Sequence, residues 1–264
     1  MVDVGDTSPG SGVRGALEWS SRIGEALRRD LFVLHAQRIV DVVSGLTLRH
    51  ELLLRMVDRK RLIPAGEFVL AAEEFGAIRE IDRWVVGRAI EIAARGHAVD
   101  VNLSTGSADE ELLDRIRDGL EETGARASDL VLELSEKQLV REIESGGEFV
   151  HAASDLGCRI ALDGYVTGGK GSFLLKRFPI DFVKLGPPFV GDLSVGRAKR
   201  RKVNGAVLKA HRHGQRVIAQ GVEELVTLEL MQELAIDEAQ GYALGPPESV
   251  ESMLGATVLA PGGP

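Results

Sequence analysis

Several absences narrow this chain before any motif is considered. Cys158 is the only cysteine, so an intrachain disulfide is excluded. No charged leader runs into an apolar segment and no long uncharged apolar run occurs. Neither a signal peptide nor a membrane span is therefore expected, and the cytoplasm is the expected compartment. There is no short-period repeat, no low-complexity linker and no compositional break to divide the chain. Basic residues are the minority, 32 against 40 acidic ones, for a net charge of -8. That balance disfavours an extended nucleic-acid surface, while a compact anionic ligand can still sit in a local basic pocket.

What is present suits one large α/β domain: 264 residues, 44% hydrophobic and 27% charged, enough to bury a sizeable core. Residues 1–14 and 259–264, rich in Gly, Pro and Ser, are expected to be a flexible leader and tail. The domain is expected to run from 15 to 258, with an N-terminal helix over 15–30. Short β-branched runs alternate with segments of helical period, which predicts βα units and a mostly parallel sheet. Ile78, Ile81, Val85, Ala89 and Ile92 form an apolar face, with Arg79, Glu80, Asp82 and Arg83 expected to look outward. The next helix is expected to open with Ser107 and Glu110 as a capping box and to stop at Gly124. Further helices are expected around 136–156, 171–178, 200–213 and 223–234.

The strands are more informative, because each runs into a polar residue: Asn102, Glu133, Asp163, Lys184, Gln220 and Gln240 in turn. One such residue alone reads as a helix cap. Repeated in order, they read as the carboxyl ends of parallel strands in a (β/α)8 barrel, where such folds build their sites.

Read as a set, these ends resemble the EAL domain family, which hydrolyses cyclic di-GMP. The resemblance spans about residues 23 to 255 and is carried by FVLHAQRIVDVVSG (32–45), HELLLR (50–55), LIPAGEFVLAAEEFGAI (62–78), VNLS (101–104), LELSE (132–136), LGCRIALDG (156–164), DFVKLG (181–186), IAQGVE (218–223) and QGY (240–242). It implies a TIM-like (β/α)8 barrel whose first strand runs antiparallel to the rest. It also implies a site in which two divalent cations, usually Mg²⁺ or Mn²⁺, about 3.5–4 Å apart generate hydroxide and neutralise phosphate charge. Hard cations take oxygen ligands. By resemblance Glu51, Asn102, Glu133 and Asp163 are first-metal ligands, Lys184 and Glu223 are catalytic if the site turns over, and Gln37, Arg55 and Gln240 hold the dinucleotide.

Departures cluster on the second metal. Gly164 replaces the second aspartate of DDFGTG, Gln220 replaces the glutamate of AEGVE, and Gly186 replaces the aspartate after the lysine; Val166, Gly169, Lys170 and the PPFV segment also depart. Loss of one preorganised charge-stabilising group typically costs about 10²–10³ in rate. The resemblance therefore implies Mg²⁺ or Mn²⁺ at one retained site, the second being lost, and a degenerate signalling domain that binds cyclic di-GMP without efficient hydrolysis and acts through an unidentified protein partner. Two other readings stand beside it: a protein-interaction module that no longer binds nucleotide, and a weak phosphodiesterase producing pGpG. A homodimer follows by analogy alone, and neither a nucleic-acid polymer nor a membrane is an expected partner.

The remaining signals have plain readings. Lys199 to Lys202 are a solvated helix start; His211 and His213 decorate a helix end and His50 lies outside the site. Trp84 and Cys158 are expected to serve packing.

Overall fold

The computed structural model describes residues 13–165, 169–190, 196–225 and 227–257. Among the described residues ten strands are formed: β1 (Phe32–Asp41), β2 (Thr47–Asp58), β3 (Arg61–Pro64), β4 (Val99–Leu103), β5 (Leu130–Ser135), β6 (Arg159–Asp163), β7 (Phe182–Leu185), β8 (Arg216–Gln220), β9 (Glu238–Gln240) and β10 (Glu248–Ser249). Eight of them, β1-β2-β4-β5-β6-β7-β8-β9, return to β1 and close a barrel, with β3 and β10 as short additions at its edge. β1 is antiparallel to both β2 and β9, and β2 and β4 to β9 run parallel. The expected TIM-like barrel with a modified first strand is the fold observed.

The β1–β2 hairpin turns on Asp41, whose Oδ1 accepts from the Val43 and Ser44 N–H groups at 3.1 and 2.8 Å. Gly45 then takes a left-handed φ of 70°, which a side chain would oppose. This turn sets the register that puts Gln37 opposite Glu51. Helices return the chain between the parallel strands: Ile78–Ala93, Glu110–Thr123, Ser145–Asp155, Gly169–Arg177, Arg197–Arg212 and Thr227–Glu233. Among the described residues, no helix is long and apolar enough to cross a membrane.

Side chains two apart on a strand share a face, and that period stratifies the barrel interior. Ile39, Val131, Ala161, Phe182 and Ile218 form a buried cluster of their own, apart from the larger core between sheet and helices. Two residues further along the parallel strands stand Glu133, Asp163, Lys184 and Gln220. These four polar strand ends thus rest directly on an apolar collar, whereas Asn102 and Gln240 follow the buried Asp100 and Glu238 on their strands.

The structure corrects several boundaries. The first helix runs from Val13 to Arg28, not from 15 to 30; Gly15 lies within its first turn and does not delay its start. The rest of the expected leader, and the tail, lie outside the described residues, as does Val166. Ser107 does not cap: Thr105–Ser107 form a 3-10 turn, and Asp109 accepts the Leu112 N–H at 2.9 Å instead. Gly124 ends that helix in the left-handed conformation, as expected. The 136–156 segment is two helices, Glu136–Arg141 and Ser145–Asp155. A Cβ on Gly146 or Gly147 would meet Leu139 at 2.8 Å or Phe178 at 2.5 Å, so these glycines let the second helix press close. The expected 223–234 helix starts only at Thr227. Asp82 does not look outward but is buried, its Oδ2 accepting the Ser104 N–H at 3.0 Å.

Ile39 fills the collar with no exposure. Ile39→Ala is expected to lose about 2–5 kcal/mol of stability in urea unfolding; a loss below about 1 kcal/mol would contradict a close-packed collar.

Candidate functional site

Barrel closure gathers the polar strand ends over the collar. Lys184 on β7 is wholly buried, and its ammonium donates to Glu51 Oε2 on β2 at 2.8 Å and to Glu133 Oε1 on β5 at 2.5 Å. Asn102 Nδ2 donates to the other Glu51 oxygen at 2.8 Å. Gln240 Nε2 donates to Gln37 Oε1 at 3.0 Å, and Gln37 Nε2 reaches the Gly245 carbonyl at 3.0 Å. Gln37, Glu51, Asn102, Glu133, Lys184 and Gln240 therefore form one network across strands that are distant in sequence.

The two glutamates flanking Lys184 are not equivalent. Burial opposes charge on both. For Glu51 the ammonium outweighs burial, helped by Asn102 and Gln240, and its pKa falls below the ordinary value. Glu133 lacks those extra donors and its Oε2 has no partner; burial, with Glu51 beside it, pushes its pKa well up despite Lys184. Burial acts against the Lys184 charge, but Glu133, Glu51, Asp100 and Asp163 outweigh it and raise its pKa. The ammonium is thus locked in its charged form.

Asp163, at the end of β6, is raised by burial, against which Lys184, the Gly164 N–H and the Gln220 side chain act. Gly164 turns the chain with φ 67° and open space where a Cβ would stand. At Gly186 a Cβ would make only ordinary contacts, with Pro188 at 3.7 Å and Gln220 at 3.9 Å. PPFV forms a short helix, Pro187–Val190, with Val190 buried. Two expected site residues stand apart from the network. Arg55 is half-buried on β2 with its Nε unpartnered, and Glu223 is exposed on the loop after β8.

A cleft of about 380 Å³ opens beside Asn102, Glu133 and Asp163 and is walled by Glu73, Asp82 and Gln138. Glu73 Oε1 accepts from Ser104 Oγ at 3.0 Å and from Gln138 Nε2 at 2.8 Å. Burial pushes the Asp82 pKa up to about 7. Sequence reading missed this wall, and also Asp100, which shares its face of β4 with Asn102 and is wholly buried beneath the network. The alternation of β4 was the signal available.

The donor set partly suits a hard cation. Glu133 Oε2 and Asp163 Oδ1 are buried without partners and, with the Asn102 amide oxygen, are the oxygens that Mg²⁺ or Mn²⁺ takes. Glu51, however, has both oxygens engaged. Among the described residues no group of three or more His, Cys, Asp or Glu is arranged to hold a metal ion, and the place between Glu51 and Glu133 belongs to the Lys184 ammonium.

The plain readings of the outlying residues agree with their surroundings. His211 pairs with Asp237 at 2.8 Å, Trp84 packs on Phe32 and donates to Asp30, and Cys158 is buried with its thiol pushed up to about 12 by burial.

Comparison with known proteins gives a consistent picture. The family model described as EAL domain matches residues 20–247. Signaling protein YkoW of Bacillus subtilis is 30% identical over 242 residues, covering 87% of this chain and 30% of its own length. The bifunctional diguanylate cyclase/cyclic di-GMP phosphodiesterase MucR of Pseudomonas aeruginosa is 28% identical over 258 residues, covering 94% and 38%. The chain thus spans about a third of the length of these curated relatives. Among solved structures, the MucR phosphodiesterase in complex with c-di-GMP superposes with a TM-score of 0.82 at 28% identity, covering 89% of this chain and 99% of that one. The FimX EAL domain of Xanthomonas citri, in complex with c-diGMP, gives 0.83 at 25% identity, covering 90% and 96%.

Removing the ammonium leaves buried carboxylates without their counter-charge. Lys184→Met is expected to lose about 3–5 kcal/mol at neutral pH. Glu133 binds its proton more tightly folded than unfolded, so charging it costs stability as pH rises and protonation relieves that cost as pH falls. Urea unfolding of the variant is expected to show higher stability near pH 5 than near pH 8; a variant as stable as the parent, with no such slope, would contradict the network's energetics.

Proposed function

The chain belongs to the EAL domain family, and from that premise we propose that it is a degenerate member which binds cyclic di-GMP, hydrolyses it poorly, and signals through a protein partner. The observation that carries this reading is the Lys184 ammonium fixed between Glu51 and Glu133, next to two strand ends, Gly164 and Gln220, that supply no carboxylate. Binding and turnover place different demands on such a site, because only groups that stabilise the transition state beyond the ground state raise the rate.

In this reading Gln37, Arg55 and Gln240 hold the dinucleotide. The half-buried Arg55 guanidinium suits a phosphate oxygen through charge-assisted hydrogen bonds. Gln37 and Gln240, already joined to each other and anchored on the Gly245 carbonyl, present a fixed amide surface. MucR and FimX domains, both solved with the dinucleotide, support the choice of ligand. Glu133, Asp163 and Asn102, with Glu51 once released by Lys184, would hold one Mg²⁺ or Mn²⁺, which would neutralise phosphate charge. A second cation has no equivalent set, since Gly164 has no side chain and Gln220 is a neutral amide. Lys184 and Glu223 are the groups on which any residual turnover would draw. The two orphaned carboxylate oxygens favour weak phosphodiesterase activity as the second reading.

Two measurements test the proposal. Titration with cyclic di-GMP, with Ca²⁺ and without, is expected to show saturable binding that weakens about tenfold or more in Arg55→Gln; no binding at hundreds of micromolar ligand would remove the receptor reading. With Mn²⁺ the parent is expected to form little pGpG. Gly164→Asp combined with Gln220→Glu is expected to raise its formation by about 10² or more; the φ of 67° at Gly164 opposes a side chain, but aspartate adopts that region more readily than most residues and the space there is open. Robust multiple turnover by the parent, followed by chromatography, would overturn the assignment.

A further inference from the structure

Barrel closure places a cation of the chain's own where two acids converge. Lys184 is wholly buried, and its ammonium stands between Glu51 Oε2 at 2.8 Å and Glu133 Oε1 at 2.5 Å. We propose that Lys184 is a built-in competitor for the divalent cation: ammonium and metal claim the same carboxylates, so the metal binds only in a state in which Lys184 has left them. The proposal rests on the cation-ligand half of the reading above, Glu51, Asn102, Glu133 and Asp163, and not on nucleotide recognition.

The engaged oxygens carry the argument. Glu51 has none to offer: Oε2 holds Lys184 and Oε1 accepts from the Asn102 amide at 2.8 Å, with Gln240 donating to the same carboxylate. Glu133 gives Oε1 to Lys184. Of the three carboxylates expected to bind a cation, only Glu133 Oε2 and Asp163 Oδ1 are buried without a partner. Hard cations surround themselves with six or so oxygens, and Mg²⁺ gives up its waters reluctantly. Two carboxylate oxygens are a poor exchange for that shell.

Charge opposes sharing as well. A divalent ion admitted beside the ammonium would bring like charges together in a buried centre, where their repulsion is stronger than in water. Withdrawal of Lys184 acts the other way on both counts, since it frees Glu51 Oε2 and Glu133 Oε1 and leaves the carboxylates without a counter-charge. The centre thus has two exclusive fillings, and the ammonium needs nothing from solution to take its place. A withdrawn state populated to about 10% or less lowers the apparent metal affinity by about tenfold or more.

Titration of the whole chain with Mn²⁺, followed by the electron paramagnetic resonance of the free ion, and thermal unfolding in Mn²⁺ against Na⁺ at matched ionic strength test this exclusion without any turnover. The parent is expected to bind weakly, without saturation below millimolar Mn²⁺, and to keep its Tm. Lys184→Met is expected to bind about tenfold more tightly or better and to gain Tm in Mn²⁺, the divalent ion supplying the lost counter-charge. Lys184→Gln, whose amide can still donate to one glutamate, is expected to change in the same direction by less. A Lys184→Met chain that folds in Mn²⁺ and not in Na⁺ supports the proposal equally. Equal Mn²⁺ affinity in parent and variants overturns the competition while leaving the cation site standing. No Mn²⁺ binding and no rescue in either variant overturns it because the ligand assignment itself fails. Absence of cyclic di-GMP binding would count against the nucleotide reading alone.

Discussion

The structure depends most on keeping one ammonium charged where water cannot reach it. Lys184 lies at the centre of the barrel with no exposure, and an isolated charge there would be driven to neutrality. It survives because β2 and β5 deliver Glu51 and Glu133 to its two sides. Those glutamates depend on it in return, so no member of the triad could be buried alone. The arrangement weakly favours stability as such, since two charges taken from water repay the cost only with good geometry. What it fixes is position: β2, β5 and β7 must close to the same level for the contacts to exist.

Electrostatic asymmetry within the triad then decides which group is available. Glu51 is saturated by donors from Asn102 and Lys184 and holds its charge, whereas Glu133 keeps one buried oxygen unused and takes a proton readily. Below, Asp100 is raised to about 6 by burial even with Arg49 against it. Lys184 also acts on Asp100 through space, and Asp100, Glu238 and Arg49 stand in register with the collar residues Val131, Ile218 and Ile39, so this buried polar group and the network above it are coupled by charge.

Much of this was legible in the sequence because a strand's period is simple. Val131 then Glu133, Ala161 then Asp163, Phe182 then Lys184 and Ile218 then Gln220 each announce one inward face that changes from apolar to polar along the strand. The antiparallel first strand came from resemblance, not from pattern. What stayed hidden were residues whose partners come from closure. Arg49, Asp100 and Glu238 sit on β2, β4 and β9, and only the return of β9 to β1 brings Glu238 to Arg49. Asp82 was assigned to solvent because charge normally marks an exposed helix face. It is buried because the chain after β4 bends so that the Ser104 N–H needs an acceptor.

In the proposed reading, the same closure lets ligand binding and hydrolysis separate. Groups proposed for recognition, Gln37 and Gln240, are tied to backbone and to each other across β1 and β9, so they hold their orientation whatever happens at the metal positions. At the ends of β6 and β8 the barrel accommodates residues without carboxylates: Gly164 faces open space, and Gln220 assists Asp163. A carboxylate can be removed from a strand end at little structural cost, because nothing rests on it; one removed from beside Lys184 leaves a buried charge. An acid is therefore structurally dispensable at the rim and not at the centre, and Glu51, Glu133 and Lys184 serve the integrity of the barrel whatever the chemistry at its rim.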